Sequence, residues 1–341
     1  MPIVTIGIDL AKHVFAVHGV DEHGKAVLIK PKVARDQLAT LIAQLPLCLI
    51  GMEACSGAHN WARVFRQHGH TVKLMPAKLV APYRMSGKTG KNDAADAAAI
   101  CEAVTRPAMR FVPIKDEHQQ ATLCLHRTRQ GFVEERTATY NRIRGLLSEF
   151  GVILPQSPER LRRQIAAHLD VLPGWARRCI DDLLEHVTRI EDRLLEYDRA
   201  ISDIARDDER SRRLMRLRGI GPTTASALLA SIGAGHDFRN GRQVAAWLGL
   251  TPAQYSSGGK ARLGSITKAG DAYLRSLLVQ GGRAVMANLG DKQDRFSRWI
   301  RNLIERRGYW RTAVAIAAKN ARMAWAMLKY GDDFRQEPAA A

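Results

Sequence analysis

The sequence predicts an α/β domain followed by all-α segments, on three observations. Short apolar runs alternate with helical patterns in the N-terminal third, the signature of strands interleaved with helices. Beyond it, apolar residues recur at helical spacing. The charge changes along the same divisions. Residues 1–110 carry 14 Lys+Arg against 8 Asp+Glu, residues 111–210 carry 16 against 18, and residues 211–341 carry 22 against 8. The expected segments are 1–112, 113–210 and 211–335.

Residues 3–10 read as a buried strand ending in Gly7-Ile8-Asp9, and Val14–Val20 as a second. A turn at Asp21–Lys25 leads to a third strand over Ala26–Ile29, completing a meander. Asp36–Gln44 suits a helix, Leu47–Met52 a central strand, Asn60–His68 a helix and Thr71–Met75 another strand. Ala94 onward is helical, with a stop near Pro107. Glu117–Phe150 reads as one long helix closed by Gly151 and Pro155. In the next helix Ile180, Leu183, Val187, Ile190, Leu194, Tyr197, Ile201 and Ile204 alternate spacings of three and four, a heptad seam. Its partner is either the preceding helix or a second chain, the latter making it a coiled-coil dimerisation stalk.

The last third opens on Gly219-Ile220-Gly221 between two helical patterns, a helix-hairpin-helix signature. Hairpin amides and the following helix N-terminus can hold a backbone phosphate. The similar dinucleotide-binding fingerprint fails, because no strand precedes Gly219. After a helix over Arg242–Leu248 comes a flexible Gly/Ser loop, Gly249–Gly270, carrying Lys260, Arg262 and Lys268. Helices over Asp271–Met286 and Asp294–Leu328 follow, with Trp299, Trp310 and Trp325 read as core.

Hydrophobic residues make up 46% of the 341, enough for real cores. The net charge of +18 and pI near 10.1 point to polyanionic partners. Five cysteines form no CxxC pair and read as reduced, mostly buried thiols of a cytosolic protein. No signal-peptide pattern and no membrane-spanning apolar run is present, so a cytoplasmic protein without a membrane partner is expected. HExxH, Walker and zinc spacings are absent from the sequence.

Four acids stand where acids are costly. Asp9 and Glu53 end apolar runs, and Asp93 and Asp96 begin a helix, where positions three apart share a face. Magnesium is the usual remedy, since it takes hard carboxylate oxygens and leaves room for a phosphate. Read alone, Asp93 and Asp96 are first a helix cap and a solvated helix acid; it is the company of Asp9 and Glu53 that turns the reading toward a metal. The Gly/Ser loop is likewise either a phosphate-binding linker or the carrier of a nucleophilic serine; its cations are present but no base is evident.

Together these residues resemble the DEDD transposases of the one-ten family of bacterial insertion sequences. Ile6-Gly7-Ile8-Asp9-Leu10-Ala11-Lys12, Met52-Glu53-Ala54 and Lys91-Asn92-Asp93-Ala94-Ala95-Asp96-Ala97 match the carboxylate motifs. Gly219-Ile220-Gly221, Gly249-Leu250-Thr251-Pro252, Tyr255-Ser256-Ser257-Gly258 and Lys268-Ala269-Gly270 match the C-terminal transposase motifs in order. The resemblance implies a RuvC-like domain of RNase H fold, with magnesium on Asp9, Glu53, Asp93 and Asp96. It implies Ser257 as the nucleophile, with Ser256 its neighbour and alternative. It further implies a structured noncoding guide RNA pairing with target and donor DNA, and homodimers assembling to a tetramer on DNA. Two other readings compete: a RuvC-like Holliday-junction nuclease using metal-activated water, and a non-catalytic nucleic-acid-binding protein.

Overall fold

The first strands form because β-branched and aliphatic residues alternate with small ones over short runs. The computed structural model describes residues 2–84 and 92–331. Lys91 of the paired-aspartate motif, and the expected C-terminal segment beyond residue 331, lie outside them. β1 (Thr5–Asp9), β2 (Val14–Val20) and β3 (Ala26–Ala34) make an antiparallel meander. The Asp21 carboxylate fixes the second turn by accepting from the His23 and Lys25 amides at 3.0 and 2.9 Å. After α1 (Leu38–Ala43), β4 (Leu49–Glu53) returns parallel to β1. α2 (Ala58–Gln67) then leads to β5 (Thr71–Met75), parallel to β4. The sheet order is β3-β2-β1-β4-β5, the mixed arrangement expected of an RNase H-like domain. A short α3 (Ala77–Val80), a 3₁₀ turn (Ala81–Tyr83) and α4 (Asp93–Val104) follow; the sequence reading does not mark the first two.

Strand alternation sorts the faces of this sheet. Ile6, Ile8, Ile50 and Met52 join the α1/α2 side in one core with Phe15, Trp61 and Phe65. The alternate residues look toward α4. There Gly7 pairs with Gly51 across the parallel strands. A Cβ on Gly7 would stand 2.2 Å from the Ala97 carbonyl oxygen, and one on Gly51 2.7 Å from the Val104 Cβ. The two glycines therefore form a shelf on which α4 lies against the sheet, and Ile100 and Val104 close a second core with Met75 and Val80.

The chain divides into two compact units, Met1–Glu117 and His118–Ala341. In the second, α5 (Glu117–Ser148), α6 (Pro158–Leu169) and α7 (Gly174–Asp207) pack together. Ile180, Val187, Ile190, Leu194 and Ile201 of the heptad seam are buried. Phe132 of α5 meets Tyr197 edge-on at 5.5 Å between ring centres, and the Tyr140 hydroxyl donates to Glu191 at 3.0 Å. Later α5 residues meet earlier α7 residues, so the pair is antiparallel and the seam is covered within one chain.

α8 (Glu209–Leu214), α9 (Pro222–Ile232), α10 (Gly241–Trp247), the hairpin β6 (Pro252–Gln254) and β7 (Leu263–Ile266), α11 (Ala272–Ala287), α12 (Arg295–Arg307) and α13 (Tyr309–Tyr330) complete the unit. α9 is buried from Thr224 to Ile232, at the centre of the α8–α11 and α13 core. A polar chain ties α5 to this core. Ser226 Oγ donates to the Pro222 carbonyl at 2.8 Å and lies 3.0 Å from His126 Nε2; His126 Nδ1 lies 3.0 Å from the Tyr273 hydroxyl. That order leaves Nε2 as the imidazole donor and Nδ1 as the acceptor. Burial, and then the Arg129 charge, push His126 down to about 4, so the ring is neutral.

Three expectations are corrected. Trp325 is buried and Trp299 half-buried, but Trp310 is 64% exposed. It stands in the first turn of α13, ahead of the buried stretch that starts at Thr312, with the Arg283 guanidinium 5.3 Å from its ring. Only Cys48 and Cys101 are buried thiols; Cys55, Cys124 and Cys179 are exposed. The Gly249–Gly270 loop contains a two-stranded hairpin, Pro252–Gln254 against Leu263–Ile266, which its Gly/Ser composition does not mark. No described helix is long and apolar enough to cross a membrane.

Candidate active site

Period-two alternation that sends Gly7 and Gly51 to the α4 face sends Asp9 and Glu53 there too, one pleat further on. α4 runs back across the shelf, placing its N-terminal turn at those strand ends. Asn92 is the helix cap, its side chain accepting from the Ala95 amide at 2.7 Å. Asp93 is thus the first helical residue rather than the cap, and it is exposed. Asp96, one turn on, is buried rather than solvated. The helix N-terminus is a favourable place for both anions.

The gathering of acids shows in their electrostatics. Asp9 is pushed up to about 6, by burial first and then by the charges of Asp96, Asp93 and Glu53, with Arg84 opposing. Arg84 is the residue that sequence reasoning missed. It follows the 3₁₀ turn and spans two elements. Its Nη2 donates to Glu53 Oε1 at 3.0 Å, and its Nε lies 2.9 Å from Asp96 Oδ1. The second contact is an ion pair without hydrogen-bond alignment, because that buried Nε has no hydrogen-bond partner. No spacing rule would have singled out this arginine; only the turn brings it to the acids.

Hard oxygen donors from two strand ends and a helix start fit a divalent cation by chemistry. Among the described residues no three such side chains converge into a ready cage. The Arg84 guanidinium bridges Glu53 and Asp96 there.

The serine motif forms the tip of the β6–β7 hairpin. The Tyr255 amide donates to Arg262 at 2.8 Å and the Lys260 amide to Ser257 at 3.0 Å. Gly258 and Gly259 at φ 54 and 77 make the left-handed turn between Ser257 and Lys260 that a two-residue hairpin needs. The two serines differ. Ser256 Oγ accepts from Gln254 Nε2 at 3.0 Å and from the Arg262 amide at 3.1 Å. Ser257 is exposed, and its hydroxyl has no partner among the described residues. Lys260 and Arg262 are exposed on the same hairpin.

The hairpin is clamped at its base. A Cβ on Gly249 would stand 2.4 Å from the Ala269 amide nitrogen, and one on Gly270 1.9 Å from the Trp247 carbonyl oxygen. Arg275 donates to the carbonyls of Leu248 and Ala269, both at 3.0 Å. Lys268, at φ 53, is the only non-glycine in the left-handed region among the described residues. The glycines of the outer motifs around the serine, Gly249 and Gly270, thus serve backbone-on-backbone packing.

Gly219 and Gly221 play unlike parts. Gly219 has φ 86, and a Cβ there would stand 2.6 Å from the Gly281 carbonyl oxygen on α11. A Cβ on Gly221 would meet nothing within 4 Å, and Gly221 is exposed before α9.

Two family models match stretches of the chain. Residues 6–152 match a transposase model of the DEDD IS110 type. Residues 211–297 match the model described as transposase IS116/IS110/IS902 family. The chain is 46% identical to a probable family 20 transposase of Pseudomonas aeruginosa, over 96% of this chain and 97% of that one. It is 39% identical to the transposase for insertion sequence element IS1328 of Yersinia enterocolitica, over 98% and 99%. It is 37% identical to the transposase for insertion sequence element IS1111A of Coxiella burnetii, over 98% and 92%.

Proposed function

The chain belongs to the IS116/IS110/IS902 family of transposases and is a DNA transposase, and from that premise we propose that it is an RNA-guided recombinase. In this reading it moves an insertion sequence by magnesium-dependent strand exchange through a phosphoserine intermediate. The observation that carries it is the pairing, in one chain, of carboxylates gathered at an RNase H-like sheet with an exposed serine, unpartnered among the described residues, on a basic hairpin. A nuclease using activated water has no need of the serine.

Asp9, Glu53, Asp93 and Asp96 hold magnesium, which when bound offsets charge on the scissile phosphate and the leaving oxygen. Ser257 Oγ forms an ester bond to phosphorus as the bond from phosphorus to a sugar oxygen breaks; that oxygen takes up the proton the serine gives up. Attack by a sugar hydroxyl of the other strand reverses the step and releases the serine. The bond energy is kept throughout, so resealing needs no outside source. The hydrogen bonds on Ser256 favour Ser257 as the free nucleophile. Lys260, Arg262 and Lys268 meet the phosphate backbone, as do amides at Gly221, with Gly219 holding that hairpin in place. A structured noncoding RNA pairs with target and donor DNA, and sequence choice rests on that pairing. Dimers assemble to tetramers on DNA, acting in the cytoplasm at the nucleoid. The division of labour is a carboxylate domain over 1–112, a helical segment over 113–210 and a serine domain over 211–335.

Strand exchange reconstituted with the element's flanking RNA and both DNAs tests this. Ser257→Ala abolishes the protein–DNA adduct and strand exchange together, at least about a thousandfold, whereas Ser256→Ala retains the adduct. Cleavage at wild-type rate by Ser257→Ala would instead establish the water-driven nuclease.

A further inference from the structure

We infer that Arg84 is the resident counter-ion of the carboxylate site, and that a divalent cation enters by displacing its guanidinium from Glu53 and Asp96. The inference rests on reading these carboxylates as the cation site. One side chain bridges acids on two elements, at 3.0 Å to Glu53 and 2.9 Å to Asp96. Asp96 is buried and Glu53 partly buried, at 6% and 14% side-chain exposure, so a positive partner is favourable for each when no ion is present.

A purely structural clamp is the rival explanation, and the fold argues against it. β4 and α4 are already joined by the Gly51–Val104 contact, and Tyr83 anchors the 3₁₀ turn against the α4 core. Arg84 itself is 34% exposed in its side chain. Its grip is incomplete, since Nε is buried without a hydrogen bond. An arm on an anchored turn, holding two acids with one aligned bond, is built to let go.

A displaced counter-ion and a structural clamp differ in one measurable respect. Removing a competitor tightens cation binding even as it weakens the cation-free protein. Removing a clamp weakens the protein and leaves cation affinity equal or lower. The full-length protein is titrated with Mn²⁺, following the free ion by electron paramagnetic resonance and the melting temperature in parallel, without nucleic acid. Arg84→Gln binds Mn²⁺ about tenfold more tightly than wild type, melts lower without the ion, and recovers the difference with it. Arg84→Lys keeps the charge but not the two-armed bridge, and falls between them; it carries the test if the glutamine variant does not fold. Equal or weaker Mn²⁺ binding by a folded variant overturns the inference while leaving the cation site standing. Absence of Mn²⁺ binding in wild type and variants alike overturns both.

Discussion

Asp9 shows what assembling the acids costs. Its carboxyl is pushed up to about 6 by burial and by three neighbouring carboxylates, against an ordinary value of 3.8. A raised carboxyl contributes stability that is fully present below the unfolded value and is lost as pH rises through the folded one. Without divalent cations, Asp9→Asn is therefore more stable than wild type above pH 6, by about 1 kcal/mol after solvent screening, and the gap closes below about pH 4. Urea melts across that range measure it; parallel profiles for the two proteins would place Asp9 outside the acid cluster. The same residue scale separates Ser256 from Ser257. They are adjacent and chemically identical, and only the hairpin decides that one accepts two hydrogen bonds and the other, among the described residues, none.

At the scale of elements, glycines set the distances. Gly7 and Gly51 let α4 lie on β1 and β4, which brings a helix N-terminus to two strand ends. Gly219 and Gly281 do the same for the loop before α9 and for α11. Gly219→Ala must accommodate a left-handed backbone and a carbonyl 2.6 Å away, costing about 2 kcal/mol or more. Gly221→Ala meets open space at φ −96 and changes stability by less than about 0.5 kcal/mol. Chemical denaturation of the two variants tests this contrast; equal losses would refute the packing role assigned to Gly219. Because Gly221→Ala spares the fold, its effect on nucleic-acid affinity reads the hairpin directly.

For the molecule as a whole, charge is the governing quantity. Residues 211–341 carry 22 Lys+Arg against 8 Asp+Glu, within a total of +18. Binding that releases counterions from phosphates weakens steeply with salt. Duplex DNA affinity falls at least about a hundredfold between ~50 and ~200 mM NaCl, as fluorescence anisotropy would register. A flat salt response would mean that the basic surface faces something other than a phosphate backbone.

Much of the α/β unit is legible from residues because strand and helix periods are local properties: Val14–Val20 and Thr71–Met75 fall where alternation puts them. The acids are legible because a carboxylate ending an apolar run conflicts with its surroundings, and the heptad seam because its spacing is regular. Periodicity stops short of a partner, and packing against α5 decided that the seam is covered within the chain. Trp310 reads as core by composition, and its place in the first turn of α13 leaves it exposed. The hairpin around Ser257 reads as a loose loop, since Gly and Ser carry no strand signal; the clamp at Gly249 and Gly270 orders it through backbone contacts that composition does not encode. By itself the sequence determined most of the elements, the charge and the placing of four acids at costly positions, all set by local chemistry, while the serine was singled out by the family resemblance. Arg84 between Glu53 and Asp96, and a free Ser257 beside a bound Ser256, were decided only by tertiary structure, because each depends on groups that meet through the fold.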